Sequence, residues 1–168
     1  MNLGLSEKIK SEFINITPVK RPLILTNNIP EPNWIVGFLT CEGNFDVNIH
    51  KSNNKIGYRS RLRFRVYQHE RDIQLLELLI KYLGAGKLEK DSRKPSVCLT
   101  ISKFLDITNI IIPFFKKNSI PGIKQLDYLD WCKIAKLMTE GLHLTKEGLD
   151  LIIKIKSGMN KSRKYNNI

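Results

Sequence analysis

Three cysteines, sixteen acidic residues and no long apolar run characterise this 168-residue sequence. Because Cys41, Cys98 and Cys132 are odd in number and lack C-x-x-C spacing, they predict neither a disulfide framework nor a zinc site, and they fit a reducing compartment. No segment approaches the roughly 18–20 apolar residues that a membrane span requires. The first residues show neither a signal-peptide core nor an Arg- and Ser-rich transit peptide, so we expect a soluble protein.

Positive charge is what the sequence has in excess. Lys and Arg total 28 against 16 Asp and Glu, which gives a formal net charge of +12. On a chain of one-domain size, this predicts a polyanionic partner, with nucleic acid ahead of a membrane surface. A membrane surface is disfavoured because the densest charge falls on a predicted strand and not on an amphipathic helix. The 22 Ile, 20 Lys and 14 Asn share A/T-rich codons, from which we infer an A/T-rich genome, such as an organellar one.

The chain divides into an N-terminal arm over residues 1–33 and a single domain over residues 34–168. The arm combines a short predicted helix over residues 6–13 with several prolines that favour extended backbone. In the domain, hydrophobic periodicity gives the order α-β-β-α-β-β-α-α-α, which predicts an α+β fold with an antiparallel sheet. The predicted elements cover residues 34–40, 44–50, 58–68, 71–83, 86–90, 96–101, 102–115 (interrupted by Pro113), 123–139 and 145–160.

One predicted strand concentrates the arginines. Four arginines alternate there with small or apolar residues, so all four guanidinium groups share one face and something must offset their repulsion. A strand pair fits the DNA major groove, and Arg binds guanine or phosphate. A solvated sheet face is the alternative, but the use of Arg in a chain that contains 20 Lys and 8 Arg favours nucleic acid. The predicted DNA-binding face comprises Asn44, Asp46, Asn48, His50, Arg59, Arg61, Arg63 and Arg65.

A short apolar helix precedes this strand pair and ends in a carboxylate. Gly37 and Cys41 are small residues four apart, so they share a helix face that a second helix could approach closely. Glu42 lies at the C-terminal end, where the helix dipole disfavours an anion by about 0.3–1 kcal/mol and a nearby cation would reverse this. If two such helices packed together, their Glu42 carboxylates would converge and could bind Mg²⁺. A solvated glutamate before a helix-ending glycine is the simpler interpretation of this segment alone.

Several segments in order resemble LAGLIDADG homing endonucleases. Residues 34–45 are similar to the W-x-x-G-F-x-x-x-E-G-x-F form of the signature, and residues 64–68 resemble the F-x-V-x-Q end of the family's second strand. Residues 112–115 and 122–127 look like a later helix and its lysine. Residues 131–137, 143–145 and 148–149 are similar to the C-terminal halves of fungal mitochondrial single-chain members. The resemblance covers residues 34–163.

The resemblance implies an αββαββα fold, with a saddle-shaped antiparallel four-stranded sheet along the DNA major groove plus C-terminal helices. It implies a metal-dependent endonuclease in which Glu42 binds Mg²⁺ or another divalent cation. Gln68 and Lys124 fall on the positions that organise water and supply positive charge at the scissile phosphate. Lys87 and Glu89 fall on the groove strands and are predicted DNA-binding residues; an acidic residue there either accepts from cytosine N4 or repels phosphate. Thr40 and Cys41 depart from the usual signature, but neither change removes the metal ligand.

A family active site needs two signature helices, and this sequence has one. In one interpretation two identical chains pair through Gly37 and Cys41 as a homodimer that cuts a near-palindromic site. In the other, the chain is half of a single-chain enzyme, because its arm resembles the linker between the two halves. The intact Glu42 and the initiating Met favour the homodimer.

Two other functions are compatible with the same residues. One is an intron RNA-splicing maturase, which this family also contains, and the other is a DNA-binding half-domain without cleavage activity. Intact Glu42, Gln68 and Lys124 argue against the second. The partners expected are therefore double-stranded DNA, a second copy of the chain and possible intron RNA, with no membrane. The composition and the resemblance together predict a mitochondrial, intron-encoded protein.

Overall fold

Four antiparallel strands form one sheet in the order β1-β2-β4-β3. A computed structural model describes residues 6–15, 29 and 31–163. The strands are β1 (Gly43–Lys51), β2 (Tyr58–His69), β3 (Lys87–Lys90) and β4 (Ser96–Ile101). Polar turns connect β1 to β2 and β3 to β4, whereas a helix separates β2 from β3. The predicted α+β fold with a four-stranded antiparallel sheet is confirmed.

Helices cover one face of the sheet. The covering helices are α2 (Pro32–Glu42), α3 (Ile73–Leu83), α4 (Phe104–Asp106), α5 (Ile112–Lys117), α6 (Lys124–Thr139) and α7 (Lys146–Ser157). The first helix, α1 (Glu7–Glu12), buries no residue. Ser6 caps α1 by accepting a hydrogen bond from the backbone N–H of Ile9. None of the helices in the described ranges is long and apolar enough to cross a membrane.

The core lies between the sheet and these helices. Phe45 of β1 contacts the rings of Phe64, Phe115, Tyr128 and Trp131, with centroids 5.1–5.5 Å apart. The even-numbered residues of β2 from Ser60 to Val66 are buried, as the alternation predicted. Because strand side chains alternate between faces, the polar residues of β1 and β2 are left on the uncovered face.

The helix predicted over residues 102–115 is irregular at a different place from the one expected. Pro113 was expected to interrupt it, but helical backbone runs from Phe104 to Lys117 and passes through the proline. The irregular part is a π-helical turn, Ile107–Ile111, that precedes Pro113. Proline lacks an N–H and its ring conflicts with the preceding turn, so the wider π turn accommodates it without ending the helix.

The helix that was predicted to begin at Trp34 begins two residues earlier. α2 begins at Pro32, where a proline in the first turn lacks only an N–H that would have no helical partner, and not at Trp34. The prolines of the arm at positions 18, 22 and 30 lie outside the described residues. The division into an arm over residues 1–33 and a domain over residues 34–168 therefore stays a prediction.

Candidate nucleic-acid interface and catalytic site

The strand register places the predicted arginines directly opposite the polar residues of β1. Arg59 pairs with His50, Arg61 with Asn48, Arg63 with Asp46 and Arg65 with Asn44. The row through Asn44 and Arg65 continues across the sheet to Thr100 and Lys87. We call this surface the basic face, and it consists of Asn44, Asp46, Asn48, His50, Arg59, Arg61, Arg63, Arg65, Tyr67, Lys87, Glu89, Cys98 and Thr100.

Asp46 offsets part of the repulsion between the arginines. Its Oδ2 atom lies 2.6 Å from Nη2 of Arg63 and 3.5 Å from Nη2 of Arg65. Arg63 also donates from Nε to the same oxygen at 2.7 Å. The three side chains together keep one surplus positive charge. The chain therefore supplies some of the compensation that we had expected from a bound polyanion.

The β3 edge of the basic face has little net charge. Lys87 Nζ lies 2.7 Å from Glu89 Oε1, and the hydroxyl of Thr100 donates to Glu89 Oε2 at 3.1 Å. The hydrogen bond from Lys87 holds the pKa of Glu89 below its usual range. Glu89 is thus an ionised acceptor on the predicted DNA-binding face, suited to a donor such as cytosine N4.

Our sequence reasoning did not include three members of the basic face. Tyr67, Cys98 and Thr100 follow the same alternation as the arginines, so strand parity and pairing would have identified them. The guanidinium of Arg65 lies 5.4 Å from the ring centroid of Tyr67, which is within the range of a cation–π contact. Tyr67 thereby orients the last arginine of the row.

The junction between α2 and β1 is tightly packed around Gly43. A Cβ atom at Gly43 would lie 2.4 Å from the carbonyl oxygen of Leu39 and 3.1 Å from the ring of Phe64. No larger residue fits there without moving the backbone. Glu42, the last residue of α2, is exposed beside this junction and is therefore held at one end of the β1–β2 pair.

Lys124 reaches the same junction from the start of α6. Its Nζ atom donates to the carbonyl oxygens of Gly43 and, at 3.4 Å, Cys41, the two residues that flank Glu42. Burial lowers the pKa of Lys124, and the negative charges of Asp127 and Glu42 offset part of this effect. The structure thus brings Glu42 and Lys124 together, although 82 positions separate them in the sequence.

Gln68 lies near the end of β2, two residues beyond the Val66 that pairs with Gly43. Its even position places it on the sheet face that carries the helices, and it is partly buried. It therefore belongs to the same end of the β1–β2 pair as Glu42, but it lies on the opposite sheet face from the arginines.

Gly37 and Cys41 both lie on an exposed part of α2. A Cβ atom on Gly37 would meet nothing within 4 Å among the described residues, so packing within this chain does not require glycine there. Glycine in a helix interior costs about 1 kcal/mol relative to Ala. Close approach of another helix would account for this cost.

An Arg–Asp cluster holds the C-terminal turn against α6. Arg163 Nη2 lies 2.8 Å from both Asp127 Oδ1 and Asp130 Oδ2, and the backbone N–H of Asn160 donates to Asp127 at 3.0 Å. The side chain of Asn160 donates to the carbonyl of Phe45 and accepts from Asn44. We call Asp127, Asp130, Asn160 and Arg163 the C-terminal clasp. Through Asn160, it connects the chain at and beyond the end of the last predicted helix to the basic face.

Glu42 fits the role of one ligand to a divalent cation whose other ligands come from outside the described residues. Residues 6–15, 29 and 31–163 contain no group of three His, Cys, Asp or Glu side chains that could hold a metal by themselves. The Glu42 carboxylate enters none of the ion pairs formed within that part of the chain. Mg²⁺ commonly binds one or two carboxylates and takes its other ligands from phosphate and water.

The fold described above agrees with comparisons to known proteins. A family model described as LAGLIDADG endonuclease matches residues 35–135, and the chain belongs to this family. It is 53% identical over 153 residues to "Probable intron-encoded endonuclease 3" of Neurospora crassa and 33% identical over 169 residues to "Probable intron-encoded endonuclease 2" of the same fungus. These matches cover 90% and 95% of this chain.

Among solved structures, the chain is similar to I-SmaMI bound to an uncleaved DNA target in the presence of calcium ions. The TM-score is 0.89, with 48% identity over 95% of this chain. The I-SmaMI LAGLIDADG homing endonuclease bound to cleaved DNA gives a TM-score of 0.91. This chain spans 55% of the I-SmaMI chain, and 29% and 36% of the two Neurospora proteins.

Proposed function

We propose that this chain provides one LAGLIDADG domain of a site-specific double-strand DNA endonuclease. The observation that carries the proposal is the position of Glu42 at one end of the basic face, next to Lys124. A groove-binding surface and a carboxylate for phosphodiester hydrolysis thereby lie on one rigid unit. The nuclease relatives and the DNA-bound structures support this assignment.

The basic face binds the DNA major groove in this proposal. Surplus guanidinium groups on β2 contact phosphate oxygens or guanine, while Asn44, Asn48 and Glu89 offer donors and acceptors to base edges. Neutralising several phosphates releases condensed counterions, so affinity should fall steeply with salt. A flat response between low and moderate salt would contradict groove binding.

Glu42, Lys124 and Gln68 act at the scissile phosphate. Glu42 is the residue that would hold the divalent cation, which supplies charge neutralisation of the phosphate and a water of lowered pKa. Lys124, held by two backbone carbonyls, contributes fixed positive charge where negative charge develops. Gln68 orients water from the helix-bearing side of the sheet.

A second signature helix completes the site. We propose that a second copy of this chain packs against α2 through Gly37 and Cys41, so that two Glu42 carboxylates meet at the symmetry axis and the target is near-palindromic. The alternative is a second domain joined to this one, which the 55% coverage of the I-SmaMI chain supports. Light scattering at moderate salt distinguishes them, because only a homodimer has about twice the mass of 19.4 kDa.

The test of cleavage is a Glu42→Gln variant with Mg²⁺ and a DNA library from which bound targets are first selected. We expect binding to persist and cleavage to fall by at least about 100-fold, because a metal ligand is lost without a change of shape. Glu77→Gln, on the exposed side of α3, is the matched control and should cleave like the original protein. Equal cleavage by the Glu42→Gln protein would overturn the proposal.

We further propose a mitochondrial location, on the basis of the many Ile, Lys and Asn residues, whose codons are A/T-rich, and of the intron-encoded relatives. Intron RNA is a second candidate partner. A cavity at the opposite end of β2 from Gln68 contains two buried polar atoms, the hydroxyl of Ser60 and Nδ1 of His143, that have no hydrogen-bond partner among the described residues. Splicing assistance that survives Glu42→Gln while cleavage is lost would establish that role.

A further inference from the structure

A cavity of about 710 Å³ lies at the opposite end of β2 from Gln68. Its lining includes five consecutive strand residues, 58–62, together with the segment that leaves β4 and the connection between α6 and α7. Because strand side chains alternate between faces, consecutive residues can share one cavity only along the strand's edge. The cavity therefore lies along an edge of β2.

This edge has no neighbouring strand. β4 pairs with β2 only from Phe64 to His69, since β4 ends at Ile101 and the chain then turns into α4. In the described part of the chain, residues 58–63 of β2 pair with β1 alone. The carbonyl oxygen of Tyr58 accepts a hydrogen bond from the Asn54 side chain at 2.6 Å. The backbone groups on the free side of residues 59–63 have no partner strand in the same described part of the chain.

Two buried polar side-chain atoms in the cavity lining have no hydrogen-bond partner among the described residues. They are the hydroxyl of Ser60, a residue that is only 4% exposed, and Nδ1 of His143. A buried polar atom without a partner costs free energy, so native proteins seldom keep one without a reason. Two such atoms in one cavity indicate that something else bonds to them.

The remaining lining indicates the chemistry of the occupant. Tyr58 and Phe104 contribute aromatic rings, and Leu62 and Met138 contribute apolar surface. Lys103 and two arginines of β2 contribute positive charge. Burial lowers the pKa of His143, and a hydrogen bond with the backbone of Met138 offsets part of this effect. The neutral ring has one donor and one acceptor nitrogen. The lining thus combines aromatic surface, hydrogen-bonding groups and cationic groups.

We infer that this cavity binds a single unpaired nucleotide. Its base stacks on an aromatic side chain and hydrogen-bonds to Ser60 and His143, and its phosphate contacts Lys103 and the arginines. The cavity volume lies within the usual range of about 300–1,000 Å³ for small-ligand sites. The nucleotide is either free or part of a single strand. The site shares none of Glu42, Gln68 or Lys124, so it does not rest on the proposed cleavage.

Calorimetric titration of the whole chain tests the inference. The probes are the four ribonucleoside 5′-monophosphates, with adenosine and inorganic phosphate as partial ligands. We expect at least one mononucleotide to bind at least about 10-fold more tightly than inorganic phosphate, because base and phosphate both contribute. No binding of any mononucleotide up to about 5 mM, or equal binding of phosphate alone, would overturn the inference.

A Ser60→Ala variant locates the binding. Its hydroxyl has no partner to lose within residues 6–15, 29 and 31–163, so thermal stability should be unchanged or slightly raised, while nucleotide affinity falls roughly 5-fold through the lost hydrogen bond. Ser157→Ala, which removes a hydroxyl bonded to Lys154 on α7, is the matched control and should bind normally. Arg63→Gln, outside the cavity, should also bind normally. Unchanged affinity of the Ser60→Ala protein would overturn the location.

Two further measurements separate the inference from the nuclease and identify the source of the nucleotide. The Glu42→Gln protein should bind the mononucleotide normally even if it no longer cleaves DNA, and loss of nucleotide binding there would contradict an independent site. A single-stranded RNA trinucleotide containing the preferred base should bind more tightly than the mononucleotide if the ligand is part of a strand. Equal affinity identifies a free nucleotide.

Discussion

Two arginine–aspartate clusters in this molecule use the same chemical groups in opposite proportions. On the basic face, Asp46 is shared by Arg63 and Arg65, which leaves one positive charge in surplus. In the C-terminal clasp, Arg163 is shared by Asp127 and Asp130, which leaves one negative charge in surplus.

The surroundings of the clusters complete the contrast. Lys133 lies 2.8 Å from Asp130 and the backbone N–H of Asn160 binds Asp127, so the clasp is neutralised within the chain. Asp127 is only 6% exposed, whereas the side chains of Asp46, Arg63 and Arg65 are 21–28% exposed and keep their surplus charge. The clasp is thus arranged to stabilise the fold, and the face cluster is arranged to keep arginines ordered while one charge stays available to the proposed DNA partner.

The largest expected effect is on stability, from Asp127→Ala. The substitution removes the acceptor of two Arg163 hydrogen bonds and of the Asn160 N–H, and it leaves Arg163 with Asp130 as its carboxylate partner, so we expect the free energy of unfolding to fall by about 3 kcal/mol. For a chain of this size that corresponds to a melting temperature lower by roughly 6–12 °C. Asp46→Ala, with a more exposed side chain, should lose less than about 1 kcal/mol. Equal losses in urea unfolding would remove the distinction between the two clusters.

The second prediction concerns DNA affinity and uses Asp46→Asn. Neutralising this carboxylate raises the surplus charge of the face cluster by one, so affinity for non-specific DNA should rise several-fold at low salt, with a log–log salt slope steeper by about 0.9. Asp150→Asn on the exposed side of α7 changes the net charge equally and is the control. If both variants bind alike, the arginines of β2 do not define the binding face.

A smaller effect is expected in acid. Burial alone would raise the pKa of Asp130, but hydrogen bonds from Lys133 and Arg163 lower it below its ordinary value of 3.8. This stabilisation is therefore fully present above that value and is lost as pH falls through the lower folded pKa. Asp130→Asn should be less stable at neutral pH and should show a weaker loss of stability below about pH 4. Parallel pH profiles for the two proteins would contradict this origin of the acid sensitivity.

The smallest expected effect is an alkaline one at Lys124, whose charge meets backbone carbonyls instead of a paired carboxylate. Its pKa is lowered in the folded state, so the unfolded chain binds more protons just below pH 10.5, and this residue makes stability rise with pH in that window. Lys124→Met should remove that contribution, which appears as a difference between the two urea-unfolding profiles. Tyrosine and cysteine side chains ionise in both proteins, so subtracting one stability profile from the other removes their contributions.

The sheet could be predicted because the alternation that defines each strand lies within a short stretch of sequence. Alternation in residues 44–50 and 58–68 identified both faces, and the arginine-bearing face followed from parity alone. Placing Lys124 beside Glu42 required the family resemblance, because no local pattern distinguishes one lysine among twenty. The roles of Glu42, Gln68 and Lys124 stay predictions until variants are measured.

The C-terminal clasp could not be predicted from local patterns. It depends on a chain reversal at Asn160, whose φ of 55° is uncommon for a residue other than glycine, and on contacts between residues 33–36 positions apart. Sequence periodicity carries no information about such contacts. For the same reason the cavity was missed: Ser60 and His143 meet only when the α6–α7 connection packs beside the open edge of β2.

The alternation within β2 separates positions where substitution changes the surface from positions where it changes the core. Odd-numbered positions from Arg59 to Tyr67 face outward, while Ser60, Leu62, Phe64 and Val66 face inward and fill the core. If the basic face contacts DNA as proposed, substitution at an outward position alters the DNA sequence that is recognised with little effect on folding. Because Asp46 is shared by Arg63 and Arg65, a change at one of these two positions also alters the surroundings of the other.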